Sequence, residues 1–559
     1  MIYLLLLLLL LLSPNIFLYI MDRDLDAFLL SVVLLVWFYS VVKNSKYLVF
    51  LFPLLFFIPF ILFYILIYKT PVNEQILSII FETNTQEAIN FLGYNLLIYV
   101  FGLFLWLFII CVIFYKNHKK PLVWMHRSRY WVLLLFSIYM CISFLLNQKV
   151  SSEINGNFTT HNFLVEEKNS FLQDIKKTYP FGLFLTFSDF LVEQDKINKD
   201  FDRKKFFKFN AKLKNKNKNK NNNKIIVLVI GESSRRQNWE LNGYSRETNK
   251  KLKYQDNLIN LSDMVSVSNA TRSSIPIMLT RKPAEKVFSY DFPERSIISV
   301  FNEVNFKTYW LSTQQKFGAF DTSTSVYAKE ANNIYFLNKA NYNNKGDLDG
   351  VLIPKFKEII SNNEKNKFII VHTLGSHYNY LHRYSDNYDL FKPSLRDIEK
   401  YSLQEQKYKN EMLNSYDNSI AYTDYVLNEL IELLKLKENT ESFLLFSSDH
   451  GEDLYIDGCG KSGHGNETHF NFEISSFIWY SNMFKQNNVE KTKNIDINHN
   501  KKINQTAIFP TLVDAANIEI PKYSLNKSLL RNFEQYPRFI MGKENYDLYK
   551  KDGKCLVIK

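Results

Sequence analysis

Five long, nearly uninterrupted apolar runs fill the first 150 residues of the chain, at 2–20, 26–43, 47–68, 89–115 and 130–147. The hydrocarbon core of a bilayer is about 30 Å thick and takes roughly 20 apolar residues to cross as a helix. Each run is therefore expected to be a transmembrane helix, in a domain covering 1–148. The first run has no basic leader, and its poly-Leu stretch passes into NIFLYI without an A-x-A cleavage site. It reads as a retained span rather than a cleaved signal.

Loop charges orient this bundle, because Lys and Arg stay on the cytoplasmic side. The loop after the first run, MDRDLD, is acidic, and the next carries Lys43 and Lys46. The loop after the fourth run carries Lys116, Lys119, Lys120, Arg127 and Arg129. The N-terminus is expected in the cytoplasm and everything after the fifth span outside. In a bacterium this describes a multi-pass inner-membrane protein with a periplasmic soluble part. Between the third and fourth runs, PVNEQILSIIFETNTQEAINFL places Ile76, Ile79, Ile80 and Ala88 at helical spacing. An amphipathic helix near 73–92 on the outer face is expected, with Glu82, Asn84 and Glu87 close to the lipid headgroups.

At 559 residues the chain exceeds one ordinary domain. Residues 149–224 read as a connector. SFLQDIKKTYPFGLFLTFSDFL mixes Phe and Leu with Lys and Asp, as interfacial helices do, and AKLKNKNKNKNNNK is a low-complexity linker. A folded domain is expected over 225–559. Short apolar runs at 224–232, 306–315, 367–377, 442–452 and 475–482 alternate there with helical stretches such as 409–436. Near-continuous apolar strands are buried on both faces, so this part reads as α/β with a mostly parallel sheet. The net charge of +12 lies largely in Lys/Asn stretches that read as solvated surface. No nucleic-acid motif is visible, and no nucleic-acid partner is expected. The four cysteines, Cys111, Cys141, Cys459 and Cys555, form no CxxC or Cys/His knuckle, so cysteine is not expected to bind metal. Cys459 and Cys555 would pair in an oxidising compartment, or stand as two structural thiols.

Parallel sheets bind ligands just beyond the carboxyl ends of their strands. Four of the apolar runs end in polar groups: Glu232, Gln314 with Gln315, His377, and Asp449 with His450. Glu, Asp and His are zinc donors, and three protein ligands leave a fourth position for a reacting group. The mixed oxygen and nitrogen set argues against calcium or magnesium alone. The hydroxyl-rich SVSNATRSSIPIMLTR precedes a helical-looking stretch, and a Thr or Ser hydroxyl there suits the fourth position. Zinc would make such a hydroxyl nucleophilic near neutral pH, and a helix N-terminus would favour an incoming phosphate.

GESSRRQNWELNGYSRETN, NATRSSIP, GSH and SSDHGE, in this order, resemble the bacterial phosphoethanolamine transferases of the alkaline phosphatase/sulfatase superfamily. The five spans and ETNTQEA extend the resemblance over nearly the whole chain. It implies an α-helical five-span transmembrane domain followed by an α/β alkaline-phosphatase-like (sulfatase-like) soluble domain. It also implies that Thr271 is the nucleophile, and that Glu232, Thr271, Asp449 and His450 bind one Zn2+. His377 and His464, with His469 as a possible exchange for His464, would bind a second zinc or the phosphate. Glu87, with Thr83 in the same motif, would meet the ethanolamine headgroup. The implied reaction carries phosphoethanolamine from phosphatidylethanolamine, through a phosphothreonine, to an envelope glycan or lipopolysaccharide (lipid A or a core sugar). The protein is expected to be membrane-embedded and a monomer. Members acting on lipid A often carry cysteines where this chain has Ser268 and Ile277, which leaves the acceptor open. The alternatives are a phosphoglycerol transferase, a sulfatase-like hydrolase, or an inactive membrane sensor or scaffold. NATRSSIP does not fit the C/S-x-P/A-x-R motif of common sulfatases, GESSRR with NGYSRETN fits the phosphoethanolamine group better, and an inactive relative would be expected to lack a ligand.

Overall fold

The structure is a computed structural model. It describes residues 2–22, 25–68, 96–139, 174–204, 206–214, 223–289, 292–314, 323–338, 346–399, 405–542 and 544–549, with positions 72, 77, 401, 555, 557 and 558. The chain divides into two units near residue 194.

The first unit is built from α1 (Ile2–Asp22), α2 (Leu25–Val42), α3 (Phe52–Tyr68) and α4 (Leu96–Lys119). Four stretches are long and apolar enough to cross a bilayer: Ile2–Ile20, Leu25–Val42, Ser45–Leu66 and Tyr99–Lys119. Phe101, Phe104 and Phe108 stand exposed along α4. A helix that is apolar all round, with aromatics on its open face, is adapted to lipid. Two buried polar side chains of this unit, Ser45 and Asn117, pair with each other. Ser45 Oγ donates to Asn117 Oδ1 at 2.9 Å, and Asn117 Nδ2 donates to Ser45 O at 2.9 Å. The fifth expected span, 130–147, is helical up to 139 and then passes outside the described residues. The helix expected near 73–92, with Thr83 and Glu87, lies outside them as well. Among the described residues of the connector, a short helical turn at 174–176 precedes a long helix, α5 (Phe181–Lys204).

The second unit holds β1 (Lys212–Leu213), β2 (Asn223–Gly231), β3 (Leu258–Asn260), β4 (Met264–Val265), β5 (Lys307–Ser312), β6 (Asn333–Phe336), β7 (Asn366–His372), β8 (Thr440–Ser448) and β9 (Ser476–Tyr480). Seven of them form one sheet in the order β3-β9-β8-β2-β7-β5-β6. β8, β2, β7, β5 and β6 run parallel, whereas β9 is antiparallel to β8 and β3. All five expected strands are present. The sheet is mostly parallel, as expected, with β9 the strand that runs the other way. The chain leaving β8 builds loops and a four-residue helix, His469–Phe472, instead of a crossover helix. It re-enters the sheet from the same end and must run back.

β2 shows why its sequence is an unbroken apolar run. Ile226, Leu228 and Ile230 pack on one face with α6 (Thr271–Leu279) through Ile275 and Met278. Ile225, Val227 and Val229 pack on the other with α7 (Leu352–Ser361) and α8 (Lys409–Lys435) through Phe356, Ile420 and Leu427. A further helix, α9 (Ile508–Ala515), joins the first layer through Ile508 and Leu512. The domain is thus three layers, α/β/α.

Its beginning lies upstream of the expected boundary at 225. Phe209 is buried in the core, its ring 6.2 Å from Phe509. The Glu303 carboxylate accepts the N–H groups of Phe209 and Ala211 at 2.7 and 2.8 Å. β1 pairs with the strand Ile518–Glu519. One apolar anchor set among lysines and asparagines gives too little pattern to be seen in the sequence. Phe209→Ala in the full chain is expected to destabilise the soluble domain by about 3–5 kcal/mol, read as a lowered denaturant midpoint in near-UV circular dichroism. A loss under about 1 kcal/mol would remove Phe209 from the core.

Candidate active site

β2 and β8 stay in register to their last residues, Gly231 opposite Ser448. Glu232 and Asp449 therefore leave the sheet side by side. The Asp449 N–H donates to Gly231 O at 3.0 Å, and the Ser376 N–H to Glu232 O at 2.9 Å. These bonds lock the ends of β8, β2 and the turn after β7 together. Two glycines permit the approach. Gly375 has φ +48°, and a Cβ there would sit 2.7 Å from Glu232 O. A Cβ on Gly451 would sit 2.0 Å from Phe470 O. No other side chain fits either place.

Glu232, Asp449 and His450 are buried, with ligand atoms within 4.8 Å of one another. His450 Nε2 lies 3.3 Å from Glu232 Oε1 and 3.4 Å from Asp449 Oδ2. Thr271, the first residue of α6, brings Oγ1 to 3.2 Å from both Glu232 Oε2 and His450 Nε2. The carboxylates are braced from outside. Asp449 Oδ1 accepts the N–H groups of Ser233 and His450 at 3.1 and 2.7 Å. Glu232 accepts from Ser233 Oγ at 2.8 Å and from Gln314 Nε2 at 3.2 Å. His450 Nδ1 faces Gly451 O at 2.8 Å. When it donates there, the Nε2 lone pair is left for the cluster, the usual arrangement of a metal-binding imidazole. Asp449 Oδ2 is buried with no hydrogen-bond donor of ordinary geometry.

Burial pushes the Glu232 carboxyl up, but the hydrogen bond and charge of His450 prevail and hold it well below the usual carboxylate range. Burial, and then the Glu232 charge, push the Asp449 carboxyl up toward neutrality. Burial disfavours charged His450, yet Asp449 and Glu232 raise it overall. Asp449 and His450 hold surplus protons beside an ionised Glu232 and an orphaned oxygen, an arrangement fitted to a divalent cation. With the Thr271 hydroxyl, two carboxylates and one imidazole make a zinc donor set.

A second group, His450, Glu452 and His464, lies beside the first, again within 4.8 Å. The His464 ring is centred 4.6 Å from His450 and 5.5 Å from His377. Its Nδ1 is 3.3 Å from Glu452 Oε2, and fully buried Glu452 also accepts from Tyr380 OH at 2.6 Å. His377 Nδ1 bonds Tyr378 O at 2.7 Å. His469 is not part of either group. The chain has by then turned into the helix His469–Phe472, where the His469 ring lies against Phe470. His464, not His469, is the histidine placed at the cluster. Gln315, Thr83 and Glu87 lie outside the described residues.

Other supporting groups come from distant segments. Asn238, Tyr244 and Arg246, all inside GESSRRQNWELNGYSRETN, bond the Asp417 carboxylate of α8 at 2.5, 2.8 and 2.8 Å. Tyr416 OH donates to Ser233 O at 2.6 Å. The motif thus fastens the Glu232 turn to α8. Gln505 Nε2 donates to Asp449 O at 2.6 Å while its Oε1 accepts the Val267 N–H at 3.0 Å. Hydrogen bonds of this kind hold the loop around Ser268. Sequence reasoning missed Glu452, which follows the Asp-His pair in SSDHGE and had the same strand-end signal. It also missed His372 at the end of β7. Burial pulls His372 down to about 4, so it is neutral, edge-on to Trp310 at 5.8 Å. Cys459 and Cys555 form a disulfide.

The sulfatase family model matches residues 224–518, more than half of the chain, and the chain belongs to that family. The phosphoethanolamine transferase EptC of Escherichia coli K12 is 27% identical over 326 residues, 57% of this chain and 55% of EptC. Over that match the chain spans about half the length of its relative. The crystal structure of the C-terminal periplasmic domain of E. coli EptC, in complex with Zn, aligns with a TM-score of 0.52 at 26% identity. That alignment covers 62% of this chain and 94% of the other. The integral membrane lipooligosaccharide phosphoethanolamine transferase A of Neisseria meningitidis aligns over 94% of this chain and 97% of its own. Its TM-score is 0.67 at 19% identity, a likeness of fold.

Protons held by Asp449 and His450 must leave when a metal binds. Zinc affinity, measured by chelator competition, is therefore expected to fall as pH drops, by about tenfold per unit for each proton displaced. The fall should steepen below neutrality, where Asp449 also protonates. An affinity that does not change between pH 8 and pH 6 would contradict the proton-holding cluster.

Proposed function

We propose that the chain is a zinc-dependent phosphoethanolamine transferase of the bacterial inner membrane, with five spans, a cytoplasmic N-terminus and a periplasmic catalytic domain. The names of its relatives and the zinc complex of the EptC domain support this reading. The observation that carries it is the position of Thr271, whose Oγ1 lies 3.2 Å from both Glu232 and His450 at the start of α6. Glu232, Thr271, Asp449 and His450 would hold the zinc, which lowers the pKa of a bound hydroxyl and offsets charge on phosphoryl oxygens.

Thr271 Oγ1 attacks the phosphorus of phosphatidylethanolamine and breaks its bond to the diacylglycerol oxygen, leaving phosphoethanolamine on Thr271. Glu232 Oε2 orients the attacking hydroxyl, and the N-terminus of α6 favours the phosphate charge. His377 and His464 receive the phosphoryl oxygens, or a second zinc. Diacylglycerol departs with a proton. In the second step an acceptor hydroxyl on an envelope glycan or lipopolysaccharide takes the group, gives up its own proton and frees Thr271. A covalent intermediate lets a lipid donor and a glycan acceptor use one site in turn. Glu87, with Thr83, binds the ethanolamine ammonium at the outer membrane face.

Full-length protein incubated with headgroup-labelled phosphatidylethanolamine is expected to release diacylglycerol and to carry phosphoethanolamine on the Thr271 peptide. Phosphatidylglycerol should give neither product. Thr271→Ala should lower transfer at least about a hundredfold in a protein that still inserts and folds, and retention of more than a few per cent would overturn the nucleophile. Glu87→Ala should weaken use of the donor without loss of zinc. Zinc content falling together with activity would make Glu87 structural.

A further inference from the structure

Within the loop that carries His464, Asn466 Nδ2 donates to Ser462 O and Gly463 O at 3.3 and 3.2 Å. The loop runs from Asp453 to Thr468, and its neck is closed by the bridge between Asp453 and Gly463, whose N–H groups exchange bonds of 3.0 Å. Gly458, Gly460, Gly463 and Gly465 all have positive φ. A Cβ on Gly460, Gly463 or Gly465 would meet nothing within 4 Å. Leu454 and Tyr455 pack into the core at the start of the loop, but the glycine-rich stretch from Gly458 to Gly465 loses much chain freedom on ordering, so it depends on neighbours to hold its position.

Two neighbours do this. Asn269, two residues before Thr271, donates from Nδ2 to Asn466 O at 2.9 Å and accepts the Gly465 N–H at 3.0 Å. The C-terminal tail is the other. Val557 bridges Thr468, and the Ile558 N–H donates to Glu467 O at 2.7 Å. Ile558 is buried with Val265, Phe472, Ile540 and Tyr546. Cys555 is bonded to Cys459, 96 residues earlier in sequence and inside the loop.

We infer that the C-terminal tail, fastened by the Cys459–Cys555 disulfide, is a positioning element that holds His464 beside His450. This rests on the reading of the site as a phosphoryl-transfer centre. The sheet-borne groups Glu232, Asp449 and His450 have separate supports, in strand register and in Ser233 and Gln505. Loss of the disulfide frees the His464 loop and leaves the metal cluster intact.

Full-length Cys459→Ser is expected to keep the zinc held by Glu232, Thr271, Asp449 and His450 and to transfer phosphoethanolamine at least about tenfold more slowly, mostly in kcat. In a His464→Ala background, adding Cys459→Ser should change the rate less than about twofold, because the two act through one group. Reducing the wild-type protein with a phosphine, which does not require the variant to fold, should reproduce the loss and reverse on reoxidation. It should also speed hydrogen exchange over 454–466. Full activity in Cys459→Ser, a fully additive loss in the double variant, or unchanged exchange on reduction would each overturn the inference. Wild-type protein that shows the exchange response but releases no diacylglycerol would sink the transferase reading and leave the fastening in place.

Discussion

Glu232 and Asp449 place two carboxylates in a buried space with a single imidazole between them. Buried charge is tolerated only when it is paired and hydrogen-bonded. His450 offers at most one positive charge, and Asp449 Oδ2 has no donor. The mismatch shows in the protonation of the group, with one carboxyl held low, the other pushed up, and the histidine raised between them. A divalent cation resolves it in one step, and much of the domain is arranged to keep the mismatch from relaxing in any other way.

That arrangement is layered. Strand register puts the two carboxylates side by side, and Gly375 and Gly451 let backbones approach where a Cβ would collide. Ser233, Gln314 and Gln505 then fix individual oxygens and carbonyls. Farther out, Asp417 on α8 gathers Asn238, Tyr244 and Arg246, so a long loop motif becomes a rigid mount for Glu232. α6 brings Thr271 in from the opposite layer. Tyr380, Glu452 and His464 form a second chain of contacts with its own attachment through the C-terminal tail. The first unit adds helices of membrane-spanning length and leaves this chemistry to the second.

The parts that were legible in the sequence are those in which one physical demand writes a long pattern. Membrane helices need about 20 apolar residues, and central strands buried on both faces need unbroken runs such as IIVLVI. The short, half-buried edge strands β3 and β6 carry no such signature and were not foreseen. The direction of β9 was also hidden, because it is set by the connection and not by the strand. Glu232, Asp449 and His450 stand where apolar strands change character, whereas Thr271 is singled out within its hydroxyl-rich turn only by the family resemblance; the fold brings the four together. Glu452 carries the same strand-end signal within SSDHGE, but its bond to Tyr380, 72 residues earlier, appears only in the fold. The choice between His464 and His469 depended on where a glycine-rich loop turns, which only three-dimensional packing fixes. Phe209 was masked by the lysines around it.

The central claim is that Glu232, Thr271, Asp449 and His450 hold one zinc ion. X-ray absorption at the zinc edge of the purified full-length protein tests it most directly. One histidine nitrogen and oxygen donors at about 2.0–2.2 Å, in a four-coordinate shell without sulfur, are expected. A sulfur shell near about 2.3 Å, or an all-oxygen six-coordinate shell, would contradict it.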